Sequence, residues 1–230
     1  MSKALIRIMT IWPRLPKLAW QVRIAAHPLV LPLLNGGYAA FLGVRRLWRR
    51  PAHTFHTALR ADLRTDHAGE TGAVMIYRGI LALSRDPGVR EFAQLHLATE
   101  SRHLTLIEGV LPAAHRSRLL PIWRIAGWLT GGLPSLAGPT AVYATIVAVE
   151  TFVDRHYDEQ IGRIDAHEDA AHNSELRALR DLLEECRRDE VNHRDEARAA
   201  LQRPVGLLLR AWAAIVGSGS AAAVHVSRLI

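Results

Sequence analysis

Apolar residues recur at offsets of three, four, seven and eleven in four stretches between residues 63 and 201 of this 230-residue chain, the spacing of one face of an α-helix. Four such stripes stand out. They run through Leu63, Ala73, Tyr77 and Leu81; through Ala93, Leu97, Leu104 and Ile107; through Tyr143, Ile146, Val147, Val153 and Ile161; and, more weakly, through Leu183, Cys186, Ala197 and Leu201, where Arg187 and Arg194 interrupt. The punctuation between them predicts helices over about His56 to Ser84, Val89 to Val110, Pro139 to Asp165 and Ser174 to Leu201. Asp86-Pro87-Gly88, Pro112, the first-turn Pro139 and Pro204 set the limits. Two further stretches, Arg118 to Leu136 and Val205 to Ile230, are apolar throughout and are not needed to complete four helices.

Each of the four stripes carries a glutamate. Glu70 and Glu150 stand alone, whereas Glu100-Ser-Arg-His103 and Glu190-Val-Asn-His193 repeat Glu-x-x-His, so the chain reads as two helical hairpins, each with a glutamate and then Glu-x-x-His. Residues three apart share a helix face, which lets one Glu and one His reach the same ion. A single Glu-x-x-His occurs by chance on many solvated helices. Here the glutamates lie among apolar side chains, where an unpaired carboxylate costs several kcal/mol or takes up a proton. Two divalent cations would balance four carboxylates. Glu70, Glu100, His103, Glu150, Glu190 and His193 are therefore the candidate metal ligands, the set that ferritin-like four-helix bundles use for a pair of iron or manganese ions. The predicted fold is all-α, a ferritin-like four-helix bundle with additional apolar helices associated with a membrane.

Charge divides the chain. Residues 1 to 61 hold ten Lys or Arg and no acid, while the remainder holds 19 against 22 Asp and Glu, so the net +7 belongs to an apolar, basic extension. That combination suits an anionic membrane surface better than a nucleic-acid groove. Residues 1–55 read as an extension and possible membrane anchor, residues 56–230 as the metal-binding domain. Within the extension, Ile24 to Val44 is long enough to span a bilayer but contains His27, two prolines and Asn35, which favours an interfacial anchor with a spanning helix as the alternative. The two acid-poor apolar stretches are expected on a membrane-facing surface, with packing as a cover on the bundle as the competing role. One cysteine, Cys186, excludes an intrachain disulfide, fits a reducing compartment, and reads as a small buried residue. An Arg-rich, acid-free start also resembles a mitochondrial transit peptide, but 27 Arg against two Lys point to a GC-rich genome, so the expected location is peripheral on a bacterial inner membrane, cytoplasmic side, with the mitochondrial inner membrane, matrix side, as the alternative.

The runs Asp66-His67-Ala68-Gly69-Glu70, Val149-Glu150-Thr151 with Asp154-Arg155-His156-Tyr157-Asp158-Glu159-Gln160, and Asp189-Glu190-Val191-Asn192-His193-Arg194-Asp195-Glu196-Ala197 closely resemble the demethoxyubiquinone hydroxylase family. Thr71, where a tyrosine is common, and the Thr99 to His103 run depart from its pattern. The resemblance implies that the six candidate ligands hold two iron ions and that the substrates are O2 and a long-tailed quinone drawn from the bilayer. It also implies partner proteins of ubiquinone biosynthesis. Asp66 and Asp154, one turn from Glu70 and Glu150, could orient ligand imidazoles or be plain surface acids, and His156 and Tyr157 could order substrate or relay electrons, against core packing for Tyr157 and a solvent-facing or core-satisfied His156. Oxygen and imidazole ligands alone leave manganese and zinc open. Competing functions are a membrane-bound quinol oxidase, a ferritin-type iron-oxidising protein and a carrier without turnover. With no GxGxxG or GxxxxGK run, reducing equivalents are expected from another protein, from the quinol itself or from a loosely bound reductant.

Overall fold

A computed structural model of the chain describes residues 55–201 and 203–230, the side chains of Phe55 and His56 excepted. The basic extension and its expected anchor lie outside the described residues. Six α-helices follow: α1 (Phe55–Leu83), α2 (Pro87–Val110), α3 (Leu120–Leu136), α4 (Pro139–Asp165), α5 (Ser174–Ala199) and α6 (Leu207–Leu229), with a 3₁₀ turn at Ala113–His115. No strand occurs among the described residues. The four predicted bundle helices are α1, α2, α4 and α5, their ends within two residues of the expected limits.

Local chemistry sets those ends. Asp86 caps α2 by accepting from the Val89 N–H at 2.9 Å, with Pro87 in the first turn, where its missing N–H costs nothing. Asn173 caps α5 by accepting from Glu175 and Leu176. Gly138, at φ +95°, makes the left-handed turn that lets Pro139 open α4 directly behind α3.

Two apolar clusters fill the bundle. One contains Tyr77, Ile80, Val89, Ala93, Ile146 and Ala197; the other contains Leu63, Ile107, Leu111, Ile161, Leu183 and Cys186. Along each bundle helix the chain leaves one cluster, passes its glutamate, and enters the other. The order is opposite in α1 and α2 and opposite again in α4 and α5, so each hairpin is antiparallel, while α2 and α4 run the same way. Joining two helices that point alike requires the chain to return along the bundle. Helix α3, 17 residues and so about 25 Å long, makes that return.

The return helix is pressed against α1. A Cβ added at Gly79, Gly127 or Gly131 would overlap main-chain atoms of the facing helix: those of Trp128, Gly72 and Ile76 respectively. Small residues thus let the two backbones approach more closely than side chains would allow. Helix α6 comes back along α1 and α4. Trp212 Nε1 donates to Thr145 Oγ1 at 2.8 Å near its start, and near its end Arg228 pairs with the buried Asp62 while Arg64 donates to the Arg228 carbonyl at 3.0 Å. The outward faces of α3 and α6 are apolar: Ile125, Leu207 and Leu208 are 64%, 83% and 86% exposed. Among the described residues α6 alone is long and apolar enough to cross a membrane.

The α1–α3 contact leads to a stability prediction. Gly131→Val should lower the free energy of unfolding by at least about 1–3 kcal/mol, the usual cost of overpacking. Gly109→Ala, where an added methyl meets open space within α2, should be neutral or stabilising by up to ~1 kcal/mol. Urea unfolding of the two variants checks the contrast.

Candidate metal centre

Glu70 on α1, Glu100 and His103 on α2, Glu150 on α4 and Glu190 and His193 on α5 all point into the layer between the two apolar clusters, and all are buried. Two overlapping groups result. In one, atoms of Glu70, Glu100, His103 and Glu190 lie within 4.8 Å of one another; in the other, atoms of Glu100, Glu150, Glu190 and His193 do. Glu100 and Glu190 belong to both. The two Glu-x-x-His pairs come from antiparallel hairpins and meet across the bundle, so both of their glutamates enter each group while one histidine goes to each.

The side chains leave much of their bonding capacity unused. Glu70 Oε2, both oxygens of Glu100, and His193 Nδ1 are buried without a hydrogen-bond partner. His193 Nδ1 lies 3.0 Å from Glu100 Oε1, yet the two are not aligned as donor and acceptor. Buried polar atoms that converge without bonding one another cost free energy unless a third group satisfies them. A cation does so. The donor set of carboxylate oxygens and imidazole nitrogens fits a pair of divalent first-row metals.

The electrostatics agree. Burial, and then the charges of Glu100 and Glu190, drive the Glu70 carboxyl far above its ordinary range; burial and the same two neighbours do this to Glu150. Burial and Glu190 raise Glu100 more modestly. Burial also opposes ionisation of Glu190, but its contacts with both histidines prevail and hold it low, at about 2. For His193 burial is likewise outweighed by Glu100 and Glu190, which lift it to about 11. In the metal-free protein, protons therefore stand in for part of the missing positive charge.

Around the ligands, Tyr157 donates its hydroxyl to Glu70 Oε1, and Tyr77 reaches Glu150 Oε1 at 3.4 Å. His103 directs Nδ1 to Glu190 Oε1 and Nε2 to Asp189 Oδ2, both at 3.0 Å, and Asp189 is held in turn by Arg102 Nη2 at 2.6 Å. The carboxylate that orients this imidazole is thus Asp189, not Asp66 or Asp154. Asp154 faces Arg187 and Arg194, at 2.9 and 2.6 Å, because the turn after Glu150 points it toward α5's cationic flank. Asp66 is buried and accepts from Gln160 Nε2 at 2.6 Å. His156 Nε2 lies 2.9 Å from Thr65 Oγ1 and 3.2 Å from Asp66 Oδ1, one layer out from the glutamates.

The sequence assigned no role to Asp189 or Gln160, although both stand in the runs quoted above, and did not single out His96. Asp189 adjoins Glu190, a spacing that by itself reads as a solvated acid; only the pairing of α2 with α5 brings it to His103. His96 is buried with its ring centroid 4.1 Å from that of His193, and burial pushes it down to about 3, so it packs there as a neutral ring.

A cavity of about 330 Å³ opens onto this layer from between α1, α3, α4 and α6. Glu70, Glu100, Glu150 and Glu190 form part of its wall; the remainder is mostly apolar, including Ile76, Val149, Trp212, Ile215 and Val216.

Comparison with known proteins gives a consistent picture. The family model described as ubiquinone biosynthesis protein COQ7 matches residues 57–227. The chain is 34% identical over 175 residues to the 3-demethoxyubiquinol 3-hydroxylase of Rhodospirillum rubrum, covering 73% of this chain and 76% of that one. It is 33% identical over 171 residues to the mitochondrial NADPH-dependent 3-demethoxyubiquinone 3-hydroxylase of Rattus norvegicus, covering 72% and 75%. With the protein of that name from Caenorhabditis elegans the identity is 30% over 156 residues, 65% and 81%.

The proton occupancy of the site predicts how stability changes with pH. Glu190, lowered on folding, contributes stability that is complete above the ordinary glutamate range and is lost as pH falls toward 2. Glu70 and Glu150, raised on folding, act oppositely: the metal-free fold loses stability as pH rises above about 4.5, the ordinary glutamate value. His193 adds to that loss as pH rises from about 6.5 through 11. The metal-free thermal midpoint should therefore fall between pH 5 and pH 8. With a divalent ion added the trend should weaken or reverse, since the ion displaces those protons. Thermal scans with and without chelator check the sign, and in Glu100→Ala the metal-dependent part should vanish.

Proposed function

This chain belongs to the family of the ubiquinone biosynthesis protein COQ7, and from that premise we propose that it is a two-iron, O2-dependent hydroxylase acting on the ring of a demethoxyubiquinol at a membrane surface. The observation that carries the reading is the apolar cavity whose inner wall is the four-glutamate layer. Such a space suits a flat, mostly apolar ring brought directly against the metals, and a storage bundle has no use for it.

Glu70, Glu100, His103, Glu150, Glu190 and His193 would hold the two iron ions, with Glu100 and Glu190 common to both. When bound, the irons would supply O2 activation and the electrons for cleaving the O–O bond. The chain's own residues then have distinct tasks. The hydroxyl of Tyr157 holds Glu70 in orientation, Asp189 keeps the proton of His103 Nε2 and so leaves Nδ1 free for metal, and the two apolar clusters keep bulk water from the layer.

The exposed apolar faces of α3 and α6 flank the cavity, and their docking on a bilayer would let a quinone head enter while its tail stays in lipid. We place the protein at the bacterial inner membrane, on its cytoplasmic side, among partner proteins of ubiquinone biosynthesis. The mitochondrial relatives are named NADPH-dependent, which favours a soluble nicotinamide reductant among the electron sources considered above.

Isotopic labelling tests the reaction. Iron-loaded protein, reductant and a short-tailed demethoxyquinol under labelled O2 should yield a product carrying one labelled oxygen. Recovery of all label as water would make the protein a quinol oxidase instead. Tyr157→Phe should slow turnover with iron content intact, whereas Glu150→Ala should lower both.

Docking has its own measurement. Ile125→Glu combined with Leu208→Glu should weaken vesicle binding by tenfold or more, at about 2.5–3.5 kcal/mol per charge carried to apolar depth, without changing turnover of a short-tailed quinol in solution. Unchanged vesicle affinity would place the membrane contact elsewhere.

A further inference from the structure

The two groups of candidate ligands offer the same chemistry: three glutamates and one histidine each, with Glu100 and Glu190 in common. Each also has one glutamate of its own that meets a tyrosine, Glu70 with Tyr157 and Glu150 with Tyr77. What stands behind the two imidazoles differs. His103 turns Nδ1 into the layer, 3.0 Å from Glu190 Oε1, and Nε2 outward to Asp189 Oδ2, also at 3.0 Å. Arg102 pins that carboxylate. Its Nη2 donates to Asp189 Oδ2 at 2.6 Å and its Nη1 to Glu185, so one guanidinium ties α2 to α5 beside the ligand.

His193 also turns Nδ1 into the layer, 3.0 Å from Glu100 Oε1 and 3.4 Å from Glu190 Oε2. Among the described residues, no carboxylate outside the ligand set lies within 4.0 Å of its ring nitrogens. The ring packed against it is that of His96, at 4.1 Å between centroids, and Nε2 of His96 lies 3.0 Å from Oε2 of the exposed Glu196. The sequence shows where the difference originates. Asp189 immediately precedes Glu190 and serves the histidine of the other Glu-x-x-His copy, whereas the residue that precedes Glu100 is Thr99, which carries no charge. A carboxylate behind a ligand imidazole fixes its tautomer, steadies the ring and raises its basicity, and losing such a partner costs about 10–100-fold in metal affinity.

We propose that the two metal positions are unequal: the position at His103, braced by Asp189 and Arg102, takes up a divalent ion first and holds it more tightly, and the position at His193 fills second. The inference rests on the two-metal centre of the function proposed above. Asp189 and Arg102 are positioning residues, since neither belongs to the ligand groups. Arg102 acts from the surface, with 46% of its side chain exposed. Unequal affinity gives the centre a loading order. The first ion also fixes Glu100 and Glu190, which belong to both groups, so the second meets two ligands already in place.

Anaerobic titration of the purified, metal-free, full-length protein with Fe(II) against a chromophoric chelator, at one fixed pH, reads both binding steps. Repulsion between neighbouring ions makes the steps unequal even at identical positions, so the variants decide. His193→Ala should keep one ion at close to the tighter wild-type affinity, whereas His103→Ala should lose the tighter step. Asp189→Asn, which keeps the shape and removes the charge, should weaken the tighter step by about 10–100-fold. Arg102→Gln should weaken it by about two- to fivefold, the worth of a partly exposed ion pair, and this surface variant carries the test if Asp189→Asn fails to fold in a thermal scan with chelator. His96→Phe, which leaves the brace untouched, should leave the tighter step unchanged. Equal losses in His103→Ala and His193→Ala, or folded Asp189→Asn and Arg102→Gln variants with the tighter step at wild-type affinity, overturn the inference while leaving the two-metal centre in place. Binding of no Fe(II) by the wild-type protein would remove the metal centre itself, and with it the inference and the function on which it rests.

Discussion

Mutual repulsion among Glu70, Glu100, Glu150 and Glu190, confined to one desolvated layer, is the constraint on which the rest of the structure turns. Charges this close are held only if protons, imidazoles or cations stand among them. Burial and mutual repulsion push Glu70 and Glu150 above their ordinary range while two histidines hold Glu190 low, so protons and imidazoles ease the conflict without a cation. Divalent cations would resolve it more completely, because they would also satisfy the oxygens that hydrogen bonds leave bare. Neutral packing would cost less, so keeping four acids in a core has its explanation in chemistry rather than in stability.

The fold follows from the need to hold that layer. Apolar clusters above and below seal it and set the helix directions, and parallel α2 and α4 in turn demand a return segment. The return is made by α3, whose glycines let it lie almost on the backbone of α1. That intimacy costs α3 a conventional packed face, and its other side remains apolar and exposed. Helix α6 completes the arrangement on the far side of the cavity, tied down near its end by Asp62 and Arg64. The accessory helices thus build the chamber leading to the layer, and the same geometry leaves greasy surface on either side of it.

Around the glutamates, some polar side chains are fully partnered and others carry a buried atom with no hydrogen-bond partner. Tyr157, Tyr77 and Asp189 belong to the first kind and Trp123 and Ser227 to the second, while Asp66 accepts from Gln160 through Oδ1 and leaves Oδ2 unpartnered. Cys186, whose thiol burial drives far above its usual range, belongs to neither and fills space in the lower cluster.

The elements themselves and the six inward side chains were legible in the chain because both depend on local periodicity. A stripe at helical spacing names a face, Asp86-Pro87-Gly88 and Pro139 end or begin a helix whatever surrounds them, and Glu-x-x-His on an apolar face has few uses. Contacts across helices were not legible, since no spacing reveals them. Asp189 and Asp154 are both acids near a ligand, one beside Glu190 and one a turn beyond Glu150. Helix packing alone sends the first to His103 and the second to Arg187 and Arg194. Trp123 in α3 and Ser227 in α6 lie 104 positions apart, and only the return of α3 along α1 and of α6 along both hairpins brings them to one chamber with Asp66. Sequence thus determined which side chains are inward and acidic; tertiary structure decided which of them lie close enough to share a cation, which neighbours partner them, and which atoms remain unpartnered.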